Sequence, residues 1–422
     1  MFCGWSTSAF GKTETDLKRQ VLSELNVQPE MTGLDLAESY DHQSVAPSPA
    51  GTVSVCIDAV PLLVPSAGVK SYVYHWISSL RSLMGNRLTL FPFLGGLKPL
   101  NHRKSVCGYV GTQSRLAYLH YLNCGENTGS DRLFSKADIF HATKLLHPPK
   151  KCRLTATLHD ATCWILPQVH TAANVSADKR FCTEVLQRAD GLIAVSEHTR
   201  LDAVRFMRLD PDRIEVIHPG VPDTYFQANS ENAAAARRKF GLKRDYILFA
   251  GTIEPRKNLS LLLDAYAALP ASLKEEFELV IAGFPGWANE EQLSRLAASP
   301  AGLRYLGYVP EFWMPGLFAG ATVFAFPSLY EGFGFPLVQA LAAGVPTITS
   351  YVSALPEVAG NAAEFIDPSS PGELLDALFK LLTSPGLRAR FANAGRKRAE
   401  LFRWDRCALQ TIRYFEKMLG AI

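Results

Sequence analysis

The sequence predicts an α/β protein made of two doubly wound domains. Short apolar runs rich in β-branched residues alternate with helix-length segments along most of the 422 residues, and this alternation is typical of parallel βαβ units. At roughly 100 to 200 residues per domain, the length corresponds to two or three domains. A composition of 47% apolar and 20% charged residues is sufficient to form their cores.

The first predicted segment, residues 1–50, is a polar extension that ends in the Pro/Ser linker "VAPSPAG". An N-terminal Rossmann-like domain is expected over 51–222, with a helix from about Ser71 to Met84. Its strand candidates end in polar residues and are "TVSVCIDAV", "RLTLFPF", "ADIFHAT", "RLTATLHD", "DGLIAVS" and "RIEVIHPG".

A second Rossmann-like domain is expected over 223–402. Its strand candidates are "YILFAG", "FELVIAG", "LRYLGYV", "ATVFAFPS", "VPTITS" and "AAEFID", each separated by one helix-length segment. Residues 403–422 form a final helix whose apolar residues recur near helical spacing, and it is expected to return to the N-terminal domain. In open α/β sheets ligands bind outside the carboxyl ends of the strands, so the function is expected in the cleft between the two sheets.

Composition and charge exclude several classes of protein. A net charge of +3, without a basic stripe, argues against nucleic acid as a partner. No apolar run is long enough to span a bilayer and no signal peptide is evident, so a cytoplasmic protein is expected. The eight cysteines are scattered singly without zinc-ligand spacing, and we expect reduced, mostly buried thiols.

The segment "LFAGTIEPRKNLSLLLDAY" carries the strongest chemical signal. Arg256 and Lys257 follow a buried strand and precede a helix opened by Asn258. Helix N-termini favour anions, Arg can donate to phosphate in a bidentate manner, and Lys acts as a point charge. A diphosphate is therefore the expected ligand, although an isolated "PRKN" would be explained better by solvated loop charges with Asn258 as an N-cap.

A second segment, "ATVFAFPSLYEGFGFPLVQALAAGVPTITS", runs from strand to loop to a helix in which Pro336 suits the first turn. Gly332 and Gly334 would let the backbone approach a ligand closely. Glu331 precedes the helix, and Gln339 is expected in its first turn. Both side chains can then point into one cavity, one toward a sugar and the other toward a ribose.

Together these segments resemble the retaining glycosyltransferases of family four, which share the two-domain GT-B fold. The resemblance covers about residues 52–420. It also includes "PLLVPSAGVKSYVYHWISSL", "AVSEHTRLD" and "RIEVIHPGVPD", in the order that the family has them. The "GTIEPRKN" form of the phosphate loop is similar to members that build bacterial surface polysaccharides from GDP-mannose.

The resemblance implies a role for each matching residue. Arg256 and Lys257 would bind the diphosphate of the donor, and Gly68 would face it from the other domain. Glu331 would hold hydroxyls of the transferred sugar, and His159 would lie near the reacting bond. The implied donor site also contains Thr252, Gly283, Tyr308, Val309, Gly332, Phe333, Gly334 and Gln339.

Two positions are open on the sequence alone. The family has glutamate where this chain has Gln339, and an amide offers a single acceptor oxygen to a ribose. Asp160 can either cap the following loop or orient an acceptor hydroxyl.

No cofactor or metal ion is expected beyond the nucleotide-sugar co-substrate, for which GDP-mannose is favoured over UDP-sugars. The Asp210–Asp212 triplet "DPD" resembles the metal-binding D-x-D of the other common glycosyltransferase fold. Its position between a helix and a strand instead predicts a turn, since Pro fixes φ and Asp bonds its own backbone. Two cations and a helix end can stabilise the leaving diphosphate.

The predicted function is retaining transfer of a hexose, by analogy mannose, to a saccharide or lipid-linked saccharide acceptor on the N-terminal domain. A peripheral membrane contact through the helix "SYVYHWISSLRSLMG" or the basic loops 97–105 and 144–153 is the weaker expectation for that domain; packing of the helix on its own sheet is favoured. The protein would then act in the cytoplasm or at the inner face of the membrane.

Of three alternative functions, the first is rejected and the other two stay open. A dinucleotide oxidoreductase lacks its G-x-G-x-x-G fingerprint. A nucleotide-sugar epimerase of the same fold would need acid and base residues flanking a sugar carbon. A non-catalytic nucleotide-sugar-binding homologue is conceivable because of Gln339.

Overall fold

The computed structural model describes residues 53–66, 68–92, 100–123, 137–286, 290–298 and 301–420. The predicted extension 1–50, Cys3, Cys124 and part of loop 97–105 lie outside these ranges. Within them, Cys56, Cys163, Cys182 and Cys407 are buried free thiols. No helix of the described residues is long and apolar enough to cross a bilayer.

The predicted fold class is confirmed, because the chain forms two parallel sheets of six strands. The N-terminal sheet has the order β2-β1-β3-β4-β5-β6. Its strands are β1 (Val55–Asp58), β2 (Leu88–Phe91), β3 (Ile139–Ala142), β4 (Arg153–Leu158), β5 (Gly191–Ala194) and β6 (Ile214–Val216). Each lies within one of the six segments predicted for this half.

The C-terminal sheet has the order β12-β11-β10-β7-β8-β9. Its strands are β7 (Asp245–Ala250), β8 (Phe277–Ala282), β9 (Leu303–Gly307), β10 (Val323–Phe326), β11 (Thr347–Ser350) and β12 (Glu364–Ile366). β7 pairs with both β8 and β10, so the strand order reverses between β7 and β10. Such a switch point is where doubly wound sheets bind ligands.

Helices cover both faces of the sheets. Those before the second sheet are α1 (Gly68–Met84), α2 (Tyr109–Asn123), α3 (Thr162–Ile165), α4 (Ala172–Glu184), α5 (Glu197–Met207), α6 (Asp223–Phe226) and α7 (Ser230–Phe240). The later helices are α8 (Leu259–Ala268), α9 (Ala271–Glu276), α10 (Glu290–Ala297), α11 (Met314–Ala319), α12 (Phe335–Ala342), α13 (Leu355–Ala359), α14 (Pro371–Thr383), α15 (Pro385–Ala399) and α16 (Trp404–Met418). The helix predicted from Ser71 begins three residues earlier, at Gly68, a residue type with low helix propensity.

The last helix, α16, packs on α1 of the N-terminal domain. Trp76 is fully buried between them, and its indole N–H donates to Thr411 Oγ1 at 3.1 Å. Tyr414 anchors the same helix by donating to the carbonyl of Arg213 at 3.1 Å. Because Tyr72 and Trp76 are 1% and 0% exposed, the aromatic face of α1 is packed inside the protein and is not a membrane-facing surface.

The "DPD" segment forms the turn that the sequence predicts. Pro211 opens a 3₁₀ turn, Pro211–Arg213, and the Asp210 carboxylate accepts from the backbone N–H of Asp212 at 3.0 Å.

Candidate functional site in the cleft between the domains

A cavity of about 600 Å³ lies between the two domains at the switch point of the C-terminal sheet. The loop after β7 and the loop after β10 form its floor. Every residue that the sequence predicted for the site lines it, including Gly68 and His159 from the N-terminal domain. The predicted residues are therefore brought together around one cavity.

The floor of the cavity contains a buried network of ion pairs. Glu331 accepts from Arg256 Nη1 at 2.7 Å and from Lys257 Nζ at 2.5 Å. Arg256 also donates to Glu254 at 2.7 Å and to the carbonyl of Tyr330 at 2.8 Å. Lys257 is 7% exposed and the Arg256 side chain 14%, so the two cations are not solvated loop charges.

The network determines the protonation states of its members. Burial alone would raise the pKa of Glu331, but Arg256 and Lys257 hold it below the ordinary value. Burial likewise opposes the charge of Arg256, and Glu331 and Glu254 nevertheless raise the pKa of its guanidinium. The pKa of Lys257 is lowered by burial and by the neighbouring Arg256. The carboxylate is thus kept ionised by the two cations that it bridges.

Some donors of the two cations have no partner among the described residues. Arg256 Nε is buried and has no hydrogen-bond partner among the described residues. Lys257 Nζ lies 5.0 Å from the centre of the Phe326 ring and makes a hydrogen bond to Glu331, while an ammonium has three donor hydrogens. Asn258 precedes α8 as predicted, but its side chain donates to the carbonyl of Pro368 at 2.8 Å instead of capping the helix.

The glycines of the "EGFG" loop line the cavity, and each also has a reason within the fold. A Cβ on Gly332 would lie 1.8 Å from the carbonyl oxygen of His159, so this glycine allows contact with the facing domain. Gly334 has a φ of +94° where α12 begins, a conformation that favours glycine. Phe333 packs on Phe402, with ring centroids 5.5 Å apart. The loop is therefore shaped mainly by packing against the rest of the protein.

Gln339 lines the same cavity as Glu331, but its predicted position needs correction. α12 begins at Phe335, which places Gln339 in the second turn of the helix, not in the first. Gln339 and Phe335, the first residue of α12, both line the cavity, because residues four apart lie on one side of a helix.

Gly283, Tyr308, Val309 and Thr252 also line the cavity, and the Gly283 N–H donates to the carbonyl of Gly307, next to Tyr308, at 2.8 Å. Glu311, which the sequence analysis missed, lies beside them and accepts from the Tyr225 hydroxyl at 3.0 Å. Burial raises the pKa of Glu311, and the bond from Tyr225 partly offsets this effect. Glu311 follows the predicted strand "LRYLGYV" by two residues, and this position at a strand end could have identified it as a candidate site residue.

The N-terminal domain supplies the opposite wall. His159 follows β4, and its ring meets the Tyr72 ring edge-on at 4.9 Å. Burial lowers the pKa of His159 to about 4, so the imidazole is neutral at physiological pH. Asp160 accepts from the N–H and the hydroxyl of Thr162 and so caps the following loop, one of the two roles considered for it. Burial opposes the charge of Asp160, but Arg256 holds its pKa below the ordinary value.

A second cavity of about 620 Å³ lies in the N-terminal domain. It shares Val69, His159 and Asp160 with the first cavity. Trp164 and Lys144 contribute an aromatic surface and a charge to its wall. The two cavities therefore meet at His159.

Comparisons with known proteins identify the class of this chain. Residues 232–398 match the family model described as glycosyl transferases group 1, and residues 66–225 match that of glycosyltransferase family 4. The chain belongs to the group 1 glycosyltransferases and has the GT-B fold. It is a glycosyltransferase.

Individual relatives extend this result. The chain is 31% identical over 281 residues to O-antigen chain mannosyltransferase B of Escherichia coli, covering 66% of this chain and 74% of that protein. It is 28% identical to the serotype-specific mannosyltransferase WbdA of Escherichia coli over 55% of this chain and 29% of WbdA. The sucrose-phosphate synthase from Thermosynechococcus elongatus has the same fold, with a TM-score of 0.67 at 17% identity, over 88% of this chain and 100% of that one.

Proposed function

We propose that this glycosyltransferase moves a mannosyl residue from GDP-mannose to a saccharide or lipid-linked saccharide acceptor in surface polysaccharide synthesis. The configuration of the sugar carbon would be retained, and no metal ion would be required. The observation that carries the proposal is the buried network of Arg256, Lys257 and Glu331 at the floor of the cleft. Similarity to two mannosyltransferases supports the choice of sugar.

A diphosphate suits the unused donors of this network. Phosphate oxygens can accept from the N–H groups of Lys257 that Glu331 does not use, beside the fixed positive charge of Arg256. Gly68 lies at the N-terminus of the 17-residue α1, where backbone N–H groups favour an anion. A Cβ on Gly68 would meet no atom within 4 Å, so the approach to this helix end is open. The departing diphosphate would thus be stabilised from both domains by fixed charges and dipoles.

The base end of the cavity favours guanine over uracil. Guanine presents two adjacent donors, N1–H and N2–H₂, and a carboxylate is the side chain that accepts from both. Glu311 lines this end of the cavity, and one of its oxygens also accepts from Tyr225. Uracil has one N–H between two carbonyl oxygens, which a carboxylate would repel.

The second cavity, which opens onto His159, would hold the acceptor. An acceptor hydroxyl at this junction would form a bond to the anomeric carbon on the face from which the diphosphate leaves. The bond from that carbon to the phosphate oxygen breaks, and the same oxygen takes the hydroxyl proton. Because His159 is neutral at pH 7, it can make hydrogen bonds at the reacting centre without adding a charge.

The proposal is tested by thermal shifts and transfer assays with GDP-, UDP- and ADP-sugars. Stabilisation by GDP-mannose above the other donors is expected. Transfer should persist in EDTA. The product should have the same anomeric configuration as the donor, as measured by NMR. Stabilisation by UDP- or ADP-sugars alone would refute the choice of donor, and an inverted product would refute retention. Formation of an epimer from the donor alone would favour the epimerase alternative.

A further inference from the structure

The N-terminus of α5, which belongs to the N-terminal domain, is inserted into the loop that carries Glu331. Ser196 Oγ donates to the carbonyl oxygen of Gly332 at 2.6 Å, and Thr199 Oγ1 donates to the same oxygen at 3.0 Å. Ser196 and Thr199 are 0% and 1% exposed. A carbonyl oxygen has two lone pairs, so hydroxyls of the facing domain satisfy this one completely.

The residue before Glu331 is held by the same helix. The Tyr330 hydroxyl donates to the carboxylate of Asp202, and both side chains are buried. Thr199 and Asp202 are three residues apart and therefore lie on one face of α5. One helical face thus binds the residues on both sides of Glu331.

A third contact fixes the end of α5. The Glu357 carboxylate, from the C-terminal domain, accepts from the backbone N–H of Glu197 at 2.8 Å and of His198 at 3.1 Å. A negative charge at a helix N-terminus is favourable. The same segment supports the peptide of Glu331, because Ser353 Oγ accepts from the Glu331 N–H at 2.9 Å.

We propose that Ser196, Thr199 and Asp202 are positioning residues that place the Glu331 carboxylate for contact with the sugar of the donor. This inference rests on the proposed role of Glu331. Arg256, Lys257 and Ser353 hold Glu331 from its own domain, and docking of α5 adds contacts from the facing domain to the residues on either side of it. The N-terminal domain thereby acts on the sugar site through the loop of Glu331, and loss of its contacts should affect sugar placement more than diphosphate binding.

The test uses Thr199→Val, which removes one donor at nearly constant volume, and Tyr330→Phe, which removes the bond to Asp202. Thr199→Ser keeps a hydroxyl and is the matched control. Affinities for GDP and GDP-mannose are measured by calorimetry, and kcat with GDP-mannose and methyl α-mannoside as the acceptor probe. These readouts separate sugar placement from general loss of stability.

For either variant we expect kcat to fall about 3- to 10-fold, the range of one lost hydrogen bond. Affinity for GDP should stay within about twofold of the wild type, and the preference for GDP-mannose over GDP should decrease. In Thr199→Ser, which keeps the hydroxyl, kcat and this preference should stay as in the wild type. A lower melting temperature with kcat and the preference unchanged would overturn the inference, as would parallel losses of GDP affinity and kcat. Absence of transfer by the wild type from every donor would instead refute the proposed function.

Discussion

Replacing Glu331 with Gln tests the ion network by removing a charge at constant shape. Glu331 lies between Arg256 Nη1 at 2.7 Å and Lys257 Nζ at 2.5 Å. Removing one partner of a buried ion pair costs about 3–5 kcal/mol. The amide keeps one acceptor, so we expect the lower end, about 3 kcal/mol. At about 2–4 °C per kcal/mol for a domain of this size, the melting temperature should fall by about 6–12 °C.

GDP affinity in this variant should not decrease together with transfer. Glu331 competes with a diphosphate for the same two cations, so GDP affinity should stay equal or become tighter. GDP at about 100 times its Kd should recover about 2.7 kcal/mol of stability. Transfer should fall about 10- to 150-fold, because a charged hydrogen bond to the sugar is worth about 1.5–3 kcal/mol.

Scanning calorimetry with and without GDP, together with initial rates, measures these effects. Lys380→Met is a suitable control, because it breaks an exposed pair with Glu364, for which the expected cost is below about 1 kcal/mol. An unchanged melting temperature in Glu331→Gln, or GDP binding that weakens together with transfer, would contradict the reasoning.

Three further predictions follow from single side chains. Gln339→Glu should tighten GDP binding about 3- to 10-fold, because charge-assisted bonds to ribose hydroxyls are stronger than neutral ones; weaker binding by calorimetry would show that Gln339 does not contact the ribose. Glu311→Gln should reduce the preference for GDP over UDP about 10- to 150-fold, and an unchanged ratio of the two dissociation constants would exclude Glu311 from base recognition. Burial lowers the pKa of His141 to about 3. Below the ordinary pKa of about 6.5, the unfolded chain therefore binds a proton at this residue that the folded chain does not. The free energy of unfolding should decrease by about 1.4 kcal/mol for each pH unit below that value. His141→Gln should therefore show a shallower loss of melting temperature between pH 7 and 5 than the wild type, and equal slopes would refute this assignment.

Periodicity was sufficient to locate the strands and to predict the fold. The buried strands of a parallel sheet are short continuous apolar runs. Eleven of the twelve strands lie within a predicted segment, and β7 begins one residue before its segment, at Asp245. Helix boundaries were less well determined: α1 starts at Gly68 and α12 at Phe335. Local pattern does not define such ends when glycine and proline are at the boundary.

The candidate site was predictable where its residues follow strands of one domain. Arg256, Lys257 and Glu331 come after β7 and β10, which are neighbours at the switch point. The sequence could not show that Glu331 bridges the two cations, since that depends on the orientation of two loops.

Contacts across the domains were also inaccessible to sequence reasoning. The sequence did not show that Gly332 packs against the His159 carbonyl of the facing domain. Thr199 was noted only as part of a motif, and its bond to the Gly332 carbonyl joins residues 133 positions apart. No local pattern encodes such a distance.

We propose that Arg256 and Lys257 bind the diphosphate of the donor. A titration of GDP into the wild type, Lys257→Met and Lys380→Met tests this assignment most directly. Loss of one charged contact to phosphate should weaken binding about 10- to 150-fold in Lys257→Met, while Lys380→Met should bind as the wild type does. Equal dissociation constants for all three proteins would contradict the account.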